Sequence, residues 1–249
     1  MQVNSIKTHK ITIKDRDIFE ILDKYISLLH EKSVVAITSK IISICEGRVV
    51  ALEKADREAL VEKEAEYFLP ASENQYGFNI TVKHNMLIAS AGIDESNGNG
   101  YFVLWPSDPQ LWVNKIREYL SQKHKVKHIG VIITDSKTTP LRWGVTGAAI
   151  SHSGFKALNN YMQKPDIFGR PLHVTKANIM DGLAAAAVVV MGEGIEQTPL
   201  AVLEDLPFVH FQDRNPTQEE LEMLRISLED DIYAGILKKA KWRKGKTPK

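Results

Sequence analysis

The chain has 249 residues, of which 43% are hydrophobic, 25% charged and 8% aromatic, an ordinary globular make-up. That excludes a largely disordered chain, a collagen-like rod and a coiled coil, and leaves room for one large domain or two small ones. With 32 Lys and Arg against 31 Asp and Glu the net charge is +1, so no global field draws the protein to nucleic acid or to a membrane surface.

The N-terminal MQVNSIKTHKITIKD alternates charged and apolar residues and lacks the apolar core of a signal peptide. Residues 17–29 place Ile18, Ile21, Leu22, Tyr25, Leu28 and Leu29 at helical spacing and predict an amphipathic helix. The β-branched run 34–38 (VVAIT) predicts a buried strand, with Ser39 as N-cap of a helix ending at Gly47. Cys45 is the single cysteine and cannot form an internal disulfide, which points to a reducing, cytoplasmic compartment. Residues 56–69 form a second helical pattern. Strand-like runs 78–82 and 86–91, joined by Lys83-His84-Asn85, suggest a hairpin. A polar, glycine-bearing stretch (94–100) leads to a strand at 101–105. Asp108 before Pro109 starts a helix with Trp112, Ile116 and Leu120 on one face.

Residues 128–134 (HIGVIIT) are the clearest strand and run directly into Asp135. The small-residue run 144–153 reads as a strand packed closely on a neighbour. Residues 175–191 read as a buried, alanine-faced helix ending at Gly192; its apolar run, 183–191, is too short to span a bilayer. A short strand at 200–203 and helices at 218–224 and 228–237 precede a basic tail, 238–249, read as a solvated terminus. Strands and helices mix rather than strictly alternate, so the expected class is α+β, mixed sheets with packed helices. The whole chain, 1–249, reads as one unit in which no subdomain boundary is visible.

Common catalytic signatures are missing: no Walker A pattern, no GxGxxG after a strand, no GxSxG elbow, and eight histidines without ligand spacing. What remains is a pair of carboxylates where apolar strands stop, Asp94 after 86–92 and Asp135 after 128–134. Brought together they would hold a hard cation such as magnesium or manganese through oxygen, with Asn97 and Ser136 beside them; alternatively each aspartate simply begins or caps a turn. Lys40 is either a cation at a helix start, where N–H groups favour phosphate, or a solvated lysine. Arg48 and Arg142 are each an anion clamp or a surface ion pair. Met191-Gly192-Glu193-Gly194 is either a plain helix C-cap or a loop whose glycines let backbone approach a phosphate.

Taken together, TSKIISICEGRVV (38–50), ASAGIDESNG (89–98), VIITDS (131–136), LRWGVTGAAIS (141–151), DIFGRPLHVTKANIMDGLAAAAVVVMGEG (166–194) and PLAVL (199–203) resemble the coenzyme F420:L-glutamate ligases and their bacterial relatives described as folate-metabolism gamma-glutamate ligases. The resemblance implies an F420 gamma-glutamyl ligase-like fold of two intertwined subdomains. It also implies a homodimer with its site near the subunit interface. The implied activity is GTP-dependent amide formation between an acceptor carboxylate, deazaflavin or folate-like, and the amino group of L-glutamate. An acyl phosphate and Mg2+ or Mn2+ belong to that expectation; a nucleic-acid or membrane partner does not. By motif, Asp94 and Asp135 match metal-binding aspartates, and Ser136 and Glu193 further metal ligands. Ser39, Lys40 and Asn97 match nucleotide contacts, as do Thr8, His9, Lys10 and Ile11 near the N-terminus and Met191, Gly192, Glu193 and Gly194 in the later loop. Asp94, Asp135 and Lys40 are the expected catalytic set, and Arg142 an acceptor or phosphate contact.

Three departures accompany the match. Ile44 stands where the family often has a second lysine, SKTTPLRW replaces an aromatic-containing segment, and the N-terminal leucine-proline is missing. Ile44 and the changed loop motivate one alternative, a non-catalytic nucleotide-binding homologue; a metal-dependent phosphotransferase or nucleotidase on the same site is another.

Overall fold

A computed structural model describes residues 1–247, so the last two residues of the basic tail lie outside the described residues. In chain order the elements are β1 (Gln2–Ile6), α1 (Ile18–Tyr25), β2 (Ser33–Thr38), α2 (Ser39–Glu46), β3 (Val49–Ala51), α3 (Arg57–Glu64), β4 (Tyr67–Leu69), β5 (Ile80–Lys83), β6 (Met86–Ala89) and β7 (Tyr101–Val103). They continue with α4 (Pro109–His124), β8 (Ile129–Thr139), β9 (Arg142–Ser153), β10 (Leu158–Asn160), β11 (Lys176–Asn178), α5 (Ile179–Met191), β12 (Leu200–Glu204), α6 (Gln218–Glu222), α7 (Ala234–Leu237) and β13 (Arg243–Lys244).

The expected α+β class holds, and its centre is a five-stranded sheet in the order β1-β12-β2-β8-β9. Only β2 and β8 run parallel, from Ser33↔Ile129 to Thr38↔Thr134; the other neighbours are antiparallel. Alternation along each strand sends side chains to opposite faces. Val35, Ile37, Val131 and Ile133 meet α1, α2 and α4 on one face, while Val34, Ala36 and Ile132 meet α5 on the other. Gly147 serves the second layer: a Cβ there would lie 2.4 Å from the Ala184 carbonyl and 2.7 Å from Val188, so its absence lets β9 rest against α5.

A second unit has its own core of Val61, Ala65, Phe68, Ala91, Ile93, Phe102 and Leu104. It is built from the β13-β4-β5-β6 sheet, the β3-β7 pair and α3. The chain leaves the first sheet after α2, builds most of the second unit, returns at α4, and crosses again at its end. Two cores are therefore threaded by one chain more than once, which is why composition marks no boundary.

Several boundaries differ from expectation. The helix at 17–29 stops at Tyr25, capped at its start by the Asp17 carboxylate, which accepts from the Phe19 N–H. Thr38, not Ser39, occupies the N-cap of α2, and Gly47 takes the left-handed conformation that ends it. The 56–69 pattern splits into α3 and β4 because Glu64 turns inward to Lys83 and Arg48, at 2.9 and 2.6 Å, instead of continuing a solvated helix face. The hairpin has a two-residue turn, His84-Asn85, both at positive φ, with Lys83 inside β5. The strand expected at 101–105 stops at Val103. The helix expected from 175 begins at Ile179, its Asn178 cap lying at the end of β11. Helix at 228–237 is confined to α7.

The tail is not a free end. Arg243 pairs with Phe68 and Lys244 with Tyr67, and the Trp242 indole donates to the Leu237 carbonyl at 2.7 Å. Among the described residues no helix is long and apolar enough to cross a membrane.

Candidate functional site

The parallel pair β2–β8 ends at Thr38↔Thr134, and the backbone there opens into a cavity of about 1100 Å³. Sites in sheets with parallel strands gather at such carboxyl edges. Asp135 is the first residue past that pairing. The expectation that β8 stops before it fails, because β8 continues to Thr139 as a ribbon with β9, where Asp135 faces Ala148. Losing its β2 neighbour, and not the strand itself, turns the Asp135 edge toward the cavity.

Asp135 is half-buried and heavily engaged. The Trp105 indole N–H donates to its Oδ2, and the Ser136 backbone N–H donates to its Oδ1 at 2.7 Å. Burial pushes the carboxyl up to about 6 despite those donors, and the Asp94 charge pushes in the same direction. Trp105, 1% exposed, is itself fixed. His84 stacks on it with centroids 5.9 Å apart, and Gly92 lies against its indole, where a Cβ would come within 2.1 Å of Nε1.

Asp94 arrives from the second unit, paired by its backbone with Val103. Burial raises its carboxyl, but the Lys40 ammonium and the Ser96 hydrogen bonds outweigh that and hold it below the usual range. Lys40 is not a free solvated lysine. It donates to Asp94 Oδ2 at 2.7 Å, to the Ser96 carbonyl at 2.8 Å and to Ser96 Oγ at 3.2 Å, which uses all three ammonium protons. This contact ties the start of α2 to the loop of the second unit.

The loop after α5 closes another side. The Ser136 hydroxyl donates to Glu193 Oε1 at 2.5 Å, and the Asn97 amide donates to the Gly194 carbonyl at 3.2 Å. The Gly194 N–H, a candidate phosphate donor by sequence, donates instead to Glu196 at 2.8 Å. Thr8, His9, Lys10 and Ile11 line the cavity in extended chain beyond β1. The Thr8 N–H donates to the Gln197 carbonyl, and the His9 ring sits between Tyr25 Oη and Asp15 Oδ1, each at 2.8 Å.

Of the residues singled out by sequence, Thr8, His9, Lys10, Ile11, Lys40, Asp94, Asn97, Asp135, Ser136, Met191, Gly192, Glu193 and Gly194 all line this one cavity. Two do not. Ser39 is buried as the first residue of α2, its carbonyl taken by the Ser43 hydroxyl, and lies behind the wall. Arg142 is exposed at the tip of the β8–β9 ribbon, outside the cavity, because the ribbon outruns the sheet. Arg48 is no anion clamp either, since it pairs with Glu64. Sequence reasoning missed Trp105, Ser96, Arg57, Phe78 and Ser90; a tryptophan at a strand end reads as core, and only tertiary contact reveals its donor.

Among the described residues no three His, Cys, Asp or Glu side chains are gathered as metal ligands. The donor set at Asp94 and Asp135 is nonetheless all oxygen, with Asp135 feeling the Asp94 charge, which fits a hard divalent cation better than a soft one. The single thiol, Cys45, is buried and pushed up to about 12, so no thiolate nucleophile is available there.

The family described as F420-0:Gamma-glutamyl ligase matches residues 1–205. The chain is 35% identical to the coenzyme F420:L-glutamate ligase of Methanopyrus kandleri over 194 residues, 72% of this chain and 77% of that protein. It is 34% identical to that of Methanocaldococcus jannaschii, covering 78% and 85%, and 31% identical to that of Archaeoglobus fulgidus, covering 84% and 87%.

Proposed function

The chain belongs to the F420-0:gamma-glutamyl ligase family, and from that membership we propose a ligase that forms a γ-glutamyl amide by way of GTP. The observation that carries the proposal is the convergence of Lys40, Asp94, Asp135, Ser136 and Glu193, more than 150 positions apart at the extremes, on one cavity. The acceptor, of deazaflavin or folate-like kind, presents a carboxylate. Its oxygen attacks the γ-phosphorus of GTP, the bond to the bridging oxygen breaks, and GDP leaves. The neutral glutamate amine then attacks the acyl carbon, the C–O bond breaks with its electrons leaving on phosphate, and one amine proton passes to solvent while the other stays on the amide nitrogen. No side-chain nucleophile is required.

Two anions meet in this scheme, so positive charge must be supplied where they meet. Asp94 and Asp135, with Ser136 and Glu193 beside them, would hold Mg2+ or Mn2+, which would supply positive charge against the phosphates. Lys40 is the protein's own cation at this point. Because it is paired with Asp94, it reaches a phosphate only by sharing or leaving that carboxylate. The stretches 8–11 and 191–194 form the nucleotide side of the cavity in this reading.

The homodimer implied by the family resemblance finds support in a run of exposed apolar side chains. Leu141, Trp143, Ile167, Phe168, Val174 and Val189 are each at least 76% exposed. One observation favours a second reading, a nucleotide-binding homologue without turnover: Ile44 presents an apolar wall to the cavity. The deciding experiment incubates the protein with GTP, Mn2+, labelled L-glutamate and a panel of deazaflavin and folate-like acceptors. A new γ-linked product by mass spectrometry supports the ligase; GTP binding without product supports the second reading.

A further inference from the structure

The second unit's wall of the cavity carries two buried polar atoms that no protein group satisfies among the described residues, Arg57 Nε and Ser90 Oγ. Both residues line the cavity that holds Asp94 and Asp135. Arg57 is the first residue of α3, and its guanidinium carbon sits 5.0 Å from the centroid of Phe78, another wall residue, 44% exposed. Among the described residues that guanidinium has no hydrogen bond or ion pair. Ser90 is 1% exposed and lies with Ala91 in left-handed backbone, φ 50° and 54°. The Ser90 N–H is held by the Asn79 carbonyl and the Ala91 N–H by Thr81 Oγ1, each at 2.8 Å. Backbone strain at two consecutive non-glycine residues persists only where the surroundings fix it.

Buried polar atoms without partners are uncommon and costly, and two on residues that line one cavity call for a ligand that completes them. A guanidinium resting on an aromatic ring, with no carboxylate of its own, is a preorganised donor for a carboxylate or phosphate. A serine hydroxyl donates to the same chemistry. Apart from Asn97, the residues read as nucleotide contacts come from the main-sheet side, and Asp94 and Asp135 lie where the two units meet. We propose that Arg57, held over Phe78, and Ser90 form an oxyanion subsite on the second unit's wall that anchors a carboxylate or phosphate of a substrate other than the nucleotide. Its assignment to a substrate rests on the ligase reading; the subsite itself is tested without turnover.

The binding test titrates phenyl phosphate and L-glutamate into the wild-type protein and into Arg57→Met, Arg57→Lys and Ser90→Ala, followed by ligand-observed NMR. At least one probe is expected to bind the wild type, at least tenfold more weakly to Arg57→Met, and with intermediate affinity to Arg57→Lys. Ser90→Ala is expected to weaken the same probe without lowering the melting temperature, since it removes an unpaired buried hydroxyl. GTP binding should stay within twofold throughout. In turnover assays the KM of either the acceptor or glutamate rises in Arg57→Met, and which one rises identifies the source of the oxyanion. Equal probe affinity in wild type and Arg57→Met, binding of neither probe, or a loss confined to GTP overturns the subsite. Loss of probe binding in a protein without ligase product would leave the subsite standing and sink the ligase reading alone.

Discussion

Trp105→Phe isolates the hydrogen bond that secures Asp135, because phenylalanine keeps a ring against His84 and Gly92 but deletes the donor. A net hydrogen bond to a neutral acceptor contributes about 1 kcal/mol, and one to a charged acceptor about 1.5–3 kcal/mol. Asp135 has its carboxyl raised to about 6, so it is largely neutral at pH 5 and charged at pH 8. Its folded pKa lies above the unfolded value, so ionising it already lowers stability as pH rises through about 6. Removing the indole donor raises that pKa further and steepens the loss. The destabilisation by Trp105→Phe is therefore expected to be larger at pH 8 than at pH 5 by about 0.5–2 kcal/mol, on top of a pH-independent packing cost. Urea unfolding followed by far-UV circular dichroism, with chelator present, measures both values. Repeating it in a His84→Phe background removes the titrating ring stacked on Trp105. The same destabilisation at both pH values would refute the claim that the indole stabilises the carboxylate form.

Three further outcomes are expected. Asp135→Asn abolishes Mn2+-dependent GTP consumption yet stabilises the metal-free protein at pH 8 by about 1–3 kcal/mol, since about two pKa units of ionisation cost disappear; unfolding curves and phosphate release check the two halves separately. Lys40→Met changes stability by no more than about 1 kcal/mol, because the Asp94 side chain is still 47% exposed and water screens the pair, but weakens GTP binding at least tenfold by calorimetry; unchanged GTP affinity would remove Lys40 from the nucleotide site. His152 is 2% exposed and burial pushes it down to about 4, so the folded protein loses stability as pH falls from 6.5 toward 4, by up to about 3 kcal/mol. His152→Phe should flatten that acid limb, and an unchanged limb would place the acid sensitivity elsewhere.

The main sheet was legible because its strands 34–38 and 128–134 are β-branched and long enough for pattern to show. The three-residue strands β3, β4, β10 and β11 carry no period of their own, and pairing with distant segments creates them. The same cause split 56–69: Glu64 reads as a solvated helix residue until Lys83 and Arg48 reach it from elsewhere. The tail reads as a charged terminus until β4 offers an edge to Arg243 and Lys244.

The site followed a similar division. Asp94, Asp135 and Lys40 are each ambiguous as single residues, and the ordered set of segments made them a site. Arg142 shows the limit of segment likeness, since a residue can sit in a matching stretch while the ribbon beneath it carries it clear of the cavity. Trp105, Arg57 and Ser90 had no sequence signal, because their significance is a missing or a long-range hydrogen bond.

A crystal of the protein grown with Mn2+ and a non-hydrolysable GTP analogue tests the account most directly. Anomalous scattering should place manganese in contact with carboxylate oxygens of both Asp94 and Asp135, with the analogue's terminal phosphate on the same ion. Manganese bound elsewhere, or held by only one of the two aspartates with the phosphates remote from it, would contradict it.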